Sequence, residues 1–340
     1  MNLFGRKKQR THISVFGKTD VGCTRDHNED CFLVADLTAK KASLLPEVRD
    51  HEVGRKGSLL VVADGMGGAA AGEVASEMAT EVVFEHLLST WLSDDEDTPQ
   101  QFAFRLRESV EEANRKIHAH AKDNPEMRGM GTTITAAGVL NDHIYVTQVG
   151  DSRAYLIRRG NATQITKDQS LMQRLVDAGE LTEEEAERSE RKNIILQALG
   201  PDARVKVDLT HQGLCKGDAI LICSDGLSGL VSKEEIAEAV SQEKDLVQIS
   251  AELIALANER GGPDNITVIV ARFGGNGLPD PEDGESVGHE VYPLTDTEST
   301  TEPVPVYKGS DPPKPQGSSM IAAGAAAAAI VTAALVLTII

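Results

Sequence analysis

At five places in this chain an acidic side chain stands where a strand-like run meets a turn. "LLVVADGMGG" carries Asp64, "VTQVGDSR" carries Asp151, "AILICSDG" carries Asp225, and "GGPDNITVIV" holds Asp264 just ahead of its run. The fifth, "TRDHNEDCFLV", crowds Asp26, Glu29 and Asp30 before another apolar run. Taken singly, Asp-Gly and Pro-Asp-Asn are ordinary turn sequences. Gathered at one sheet edge, the same carboxylates would repel one another strongly unless cations neutralised them. Oxygen donors with almost no Cys or His suit Mg2+ or Mn2+ rather than zinc. At Gly65 the backbone can come close enough for its carbonyl to join the donor set.

A carboxylate-held pair of such ions activates water and clamps an oxyanion during displacement at phosphorus or carbon. Arg25, beside the fifth cluster, has the forked geometry that fits a phosphate. The chemistry therefore points to metal-assisted hydrolysis of a phosphoester and leaves the substrate open. An acidic cation-binding protein without catalysis is a competing reading, and it gives Arg25 no task. The histidines do not compete as ligands. His118 and His120 point to different sides of one predicted helix, and His27 has no second imidazole in register.

These carboxylates need strands to deliver them. "SLLVVAD", "GTTITAAGVL", "HIYVTQVG", "AYLIRRG", "DAILICSDG" and "NITVIVARF" are apolar, β-branched and bounded by turn residues, which predicts strands. "HIYVTQVGDSRAYLIRRGNATQIT" predicts a meander of three successive strands. Helical stretches are "GEVASEMATEVVFEHLLSTWL", residues 101–122, "DQSLMQRLVDAG", "SKEEIAEAVSQ" and "DLVQISAELIALANERG". Residues 38–57 predict a polar loop between two strands. Strand runs with helices inserted between them predict the α+β class rather than alternating βαβ units.

With 53 acidic and 34 basic residues the formal net charge is -19, which argues against a nucleic-acid partner. Cys23, Cys31, Cys215 and Cys223 have no zinc-knuckle spacing and are expected in the core. No apolar stretch follows the basic start "MNLFGRKKQR", so residues 1–10 predict a solvated tail in a reducing compartment. Residues 11–273 form the expected folded body. Residues 274–319 are rich in Pro, Gly, Ser, Thr and acids and predict a disordered linker of roughly 40 Å reach. Met320–Ile340 carries no charge and would run about 31 Å as a helix, which predicts a single-pass C-terminal membrane anchor with the body cytoplasmic.

The ordered set "TRDHNED", "VVADGMGG", "GMGTTIT", "VGDSRAYLI", "ICSDGLSGLV" and "GGPDNITVIV" resembles the metal-dependent protein Ser/Thr phosphatases of the protein phosphatase 2C family. "TKDQSLMQRLVDAGELTEEEA" is similar to its bacterial branch. The resemblance covers about residues 11–273. It implies a four-layer α-β-β-α sandwich, two mainly antiparallel sheets flanked by helices, with a metal cleft at one end. It implies that Asp64 bridges two Mn2+ or Mg2+ ions, with Glu29 and the Gly65 carbonyl completing one site and Asp225 and Asp264 the other. Asp30 would hydrogen-bond a metal-bound water, Arg25 would bind the substrate phosphate, and Asp151 with Asp225 would form a third metal site. The implied step is attack by a metal-bridging hydroxide on phosphoserine or phosphothreonine of protein substrates made by a Ser/Thr kinase. A monomeric catalytic domain is expected, and a catalytically idle pseudophosphatase that binds phosphoproteins is the alternative. The sequence departs from the family at Met66, where some members have His, at Gln169, and at Ser189 and Glu190 in the expected flap.

Overall fold

The computed structural model describes residues 10–189, 191–282 and 286–294. The chain divides into two units, Met1–Thr295 and Asp296–Ile340, and the second lies outside the described residues. Thirteen strands follow in chain order. They are β1 (His12–Asp20), β2 (Asp30–Asp36), β3 (Lys41–Ser43), β4 (Arg49–Glu52), β5 (Ser58–Met66), β6 (Gly131–Thr132) and β7 (Ile134–Leu140). Then come β8 (His143–Val149), β9 (Arg153–Arg158), β10 (Asn161–Gln164), β11 (Asp208–Gly213), β12 (Ala219–Cys223) and β13 (Ile266–Gly274). The helices are α1 (Ala69–Ser89), α2 (Pro99–Asp123), α3 (Leu171–Asp177), α4 (Glu183–Glu187), α5 (Asp225–Ser228), α6 (Lys233–Ser241) and α7 (Leu246–Glu259).

The strands form two antiparallel sheets, ordered β10-β9-β12-β13-β1-β4 and β11-β8-β7-β5-β2-β3, with β6 beside β5. Side chains alternate across each strand, and both faces of each sheet are covered. Leu60 and Val62 of β5 meet Ile220 and Ile222 of β12 and Ile269 and Ala271 of β13 between the sheets. Leu59, Val61 and Ala63 face the other way, onto Ala75, Ala79 and Val83 of α1 and Phe102, Leu106 and Val110 of α2. On the far side, Val268 and Val270 meet Ile249 and Leu253 of α7. Two buried faces explain why these strands read as continuous apolar runs rather than alternating ones. The result is the α+β sandwich of four layers.

Three expectations change. The three-strand meander is a hairpin plus a crossing: β9 and β10 pair, with Arg159 and Gly160 at positive φ in the turn, but β8 pairs with β7 and β11 in the other sheet. The chain changes sheets at Gly150–Ser152, so Asp151 sits on the crossover. Residues 38–57 are not all loop, because β3 and β4 lie there and cap an edge of each sheet. Residues beyond Gly274 also dock: Leu278 is buried, the His211 N–H donates to Glu290 O, and the Tyr292 N–H donates to Leu209 O. An edge strand such as β11 offers unpaired backbone groups, and this segment takes them.

The expected membrane localisation is corrected. Among the described residues no helix is long and apolar enough to cross a membrane. Residues 320–340, on which that expectation rested, lie outside the described residues, as does the basic stretch 1–9.

Phe102 is the clearest test of the helical layer. It is fully buried, 5.2 Å from the Trp91 ring and 5.7 Å from the Tyr145 ring. Phe102→Ala should cost about 3–5 kcal/mol in chemical denaturation.

Candidate metal centre and active site

The inter-sheet layer turns polar at one end, and strand parity shows where. Asp30 shares the face of Phe32 and Val34, and Asp64 shares the face of Leu60 and Val62, the residues that pack between the sheets. The two aspartates stand opposite each other in the β2–β5 register. One step past Ile222 on the same face, the Ser224 hydroxyl donates to Asp30 Oδ2 at 2.8 Å and accepts from the Thr267 N–H at 3.0 Å. Thr133 and Ser152 bond at 2.6 Å between their hydroxyls, and the Thr135 hydroxyl donates to Ser152 O. A floor of hydroxyls therefore separates the apolar interior from the acids.

Asp225 opens α5 directly after β12, and Asp264 lies just before β13, its strand neighbour. The electrostatics show that the acids converge. Burial pushes Asp64 well above the usual carboxylate range, and Asp30, Asp225, Asp151 and Asp264 add to the shift. Burial raises Asp30 to about 7 against the opposing effect of the nearby Thr267 and the bonded Ser224, with Asp225 and Asp264 adding to the rise. Asp151 reaches about 8 through burial, then Asp225 and Asp168, with Arg153 opposing. Burial and Asp264 raise Asp225, while a side-chain hydrogen bond with Asp64 opposes them. Glu29 is raised by burial, partly offset by Arg25. Asp26 and His27 are exposed and stand outside the cluster.

Local contacts fix the loops that carry these groups. The Asn265 amide donates to Val21 O and His27 O, and its Oδ1 accepts from the Glu29 N–H at 2.8 Å. One side chain thus ties the loop before Asp30 to the start of β13. Gly65 and Gly72 leave room for Glu29: a Cβ on Gly72 would lie 2.2 Å from Glu29 Oε2, and one on Gly65 would lie 2.5 Å from Glu29 O. Gln169 clasps the crossover, accepting from the Gly150 N–H at 3.0 Å and donating to Asp208 Oδ2 at 2.9 Å. The α3–α4 segment leaves from this point, and the Leu196 N–H returns to Gln169 O. Ser189 lies in that segment, whereas Glu190 is outside the described residues.

The donor set fits a hard divalent cation. Every acid in the cluster offers oxygen, and Asp30 Oδ1 is buried with no hydrogen-bond partner among the described residues. Among those residues, though, no three His, Cys, Asp or Glu side chains form a ready-made cage. Arg25 pairs with Asp264 at 2.8 Å, which places one guanidinium beside the acids. Thiols are poor candidates: burial pushes Cys31 up to about 11 and Cys223 up to about 12. Cys215 and Cys223 are in the core as expected, but Cys23 is exposed. Sequence reasoning did not single out Ser224, Thr267, Thr133 or Ser152. Their signal was parity with the inward-facing residues of the strands they lie in or directly adjoin.

The family described as protein phosphatase 2C matches residues 48–269. The serine/threonine phosphatase stp of Listeria monocytogenes is 36% identical over 253 residues, covering 74% of this chain and 93% of that protein. PstP of Mycobacterium tuberculosis is 42% identical over 213 residues, which cover 63% of this chain and 40% of that longer protein. Among solved structures, the Streptococcus agalactiae (S. agalactiae) serine/threonine phosphatase superposes with a TM-score of 0.66 at 36% identity, covering 76% of this chain and 99% of that one. The PstP catalytic domain in complex with two manganese ions gives a TM-score of 0.62 at 36% identity, covering 78% of this chain and 99% of that one.

Two outcomes follow from this geometry. Folded Asp30 and Asp151 hold protons that the unfolded chain releases at the ordinary value of 3.8. Stability of the chelated protein should therefore fall as pH rises from about 4 to about 8. Thermal unfolding in chelator should show a lower midpoint at pH 8 than at pH 5, recovered by Mn2+. A midpoint indifferent to both would contradict the cluster. Asn265→Ala removes the partner of three backbone groups, of which the Glu29 N–H is buried, and should cost about 1–3 kcal/mol in denaturation.

Proposed function

Because the chain belongs to the protein phosphatase 2C family and is a serine/threonine phosphatase, we propose that the acidic end of its sandwich is a divalent-metal active site for phosphoserine and phosphothreonine in proteins. The convergence of Asp30, Asp64, Asp151 and Asp225 with Asp264 is the observation that carries this reading. Asp64, central to the set, would help hold both of two Mn2+ or Mg2+ ions. Glu29 and the Gly65 carbonyl complete one position, and Asp225 and Asp264 complete the other. Asp151, on the crossover beside Asp225, is assigned with it to a third position. When bound, such ions supply a nucleophile near neutral pH and offset charge on the phosphoryl oxygens.

The chain's own residues do the rest. Asp30 is held by Ser224 through Oδ2, so its partnerless Oδ1 is the acceptor that orients the attacking water. Arg25 is half-exposed, and its fork can turn from Asp264 to the phosphate. The thioether of Met66 cannot donate a proton, so water must protonate the departing seryl or threonyl oxygen. A Ser/Thr protein kinase is assigned as the source of the substrates.

Hydrolysis of a phosphothreonine peptide and an aryl phosphate should require Mn2+ or Mg2+ and stop with chelator. Asp225→Ala should lose at least about 100-fold in kcat. Activity that survives either change would overturn the assignment. Arg25→Ala should reduce kcat/KM by about 10–150-fold, the worth of a charged hydrogen bond.

A further inference from the structure

A second concave surface borders the acidic centre. This cavity of about 630 Å3 is lined by His118 and Lys122 of α2, Arg128 and Met130 of the following loop, and Gly200 and Pro201. Its walls are held in place. The His118 ring bonds Gly200 O at 2.8 Å, and Asn114 of α2 accepts from the Gly200 N–H and donates to Asp202 O. Its nearer wall adjoins the turn after Asp64: Gly131 pairs with Met66 and Thr132 with Gly65. A Cβ on Gly67 would lie 2.8 Å from Gly129 O. The wall formed by Gly129 and Met130 is therefore adjacent in the chain to the strand that pairs with Gly65 and Met66.

Its charge is opposite to that of the chain as a whole. Lys122 and Arg128 are exposed, and neither makes an ion pair among the described residues. Asp123 and Glu126, their neighbours in sequence, do not line the cavity. Elsewhere many cationic side chains are matched, as Arg105 is by Asp94 and Glu108, and Arg153 by Asp168. Two cations without an ion pair thus stand at one cavity beside the apolar Met130 and Pro201, a combination suited to an anion carried on a chain.

We propose that this cavity is a substrate subsite that takes a second anionic side chain of the phosphoprotein, flanking the phosphoresidue being hydrolysed. The inference rests on the phosphatase function above. It assigns Lys122 and Arg128 to substrate preference and leaves the chemical step to the acids.

The test uses the full chain with Mn2+ and one phosphothreonine peptide in three forms: neutral flanks, Asp and Glu in the flanks, and a second phosphoserine in the flank. An aryl phosphate serves as the fourth substrate. The wild type should favour the acidic or doubly phosphorylated peptide over the neutral one by roughly tenfold in kcat/KM. Lys122→Glu combined with Arg128→Glu should erase that preference while leaving the aryl phosphate, the neutral peptide and the thermal midpoint unchanged. A gain with both flanked peptides means that carboxylates suffice, and a gain with the phosphorylated one alone means that the site reads phosphate. Preference retained in the double variant would overturn the proposal, as would an equal loss on the aryl phosphate. A wild type inactive on the neutral peptide and the aryl phosphate would instead overturn the phosphatase function itself.

Discussion

The repulsion among buried carboxylates at one end of the sandwich is the constraint on which the rest of this structure depends. Like charges in a low-dielectric end layer cannot all ionise without compensation. The protein places hydroxyls beneath the acids and a guanidinium beside them. That arrangement is also what a hard cation would replace, since the same oxygens then face a positive charge rather than each other.

The apolar layers exist to hold that end rigid. Alternation on β2, β5, β12 and β13 runs from Val34, Leu60, Ile222 and Ile269 to Asp30, Asp64, Ser224 and Thr267 on the same inward face. The inward face therefore changes from apolar to polar within two residues at the end of each of four strands, to an acid on β2 and β5 and to a hydroxyl beside β12 and on β13. Asn265 and Gln169 then fix what the strands do not reach. The first ties the Arg25–Glu29 loop to β13, and the second ties the Asp151 crossover to β11 and to the α3–α4 segment.

Much of this was legible. Continuous apolar runs marked β5, β7, β8, β12 and β13 because a strand covered on both faces has no polar side to show. The stretches that form α1, α2, α6 and α7 also read as helical in the sequence. Each acid was visible because an ionisable residue at the tip of such a run is chemically conspicuous. Less visible was anything decided by pairing. The β8–β9 crossing looked like a meander turn, since a three-residue connection reads alike whether its strands share a sheet or not. The docking of residues 286–294 was hidden because backbone bonds to an edge strand leave no side-chain pattern, and its few apolar contacts, Val287, Tyr292 and Leu294, are scattered among polar residues.

The sequence by itself determined the residue types: which acids end which strands, which glycine permits close approach, and which position lacks a proton donor at Met66. Only the tertiary structure decided that five acids distant in sequence share one electrostatic field. It also decided that Arg25 pairs with Asp264, that Ser224 holds Asp30, and that Lys122 and Arg128 face one cavity. The physical reason is that side-chain chemistry is local, whereas charge, burial and hydrogen-bond partnership are properties of neighbours in space.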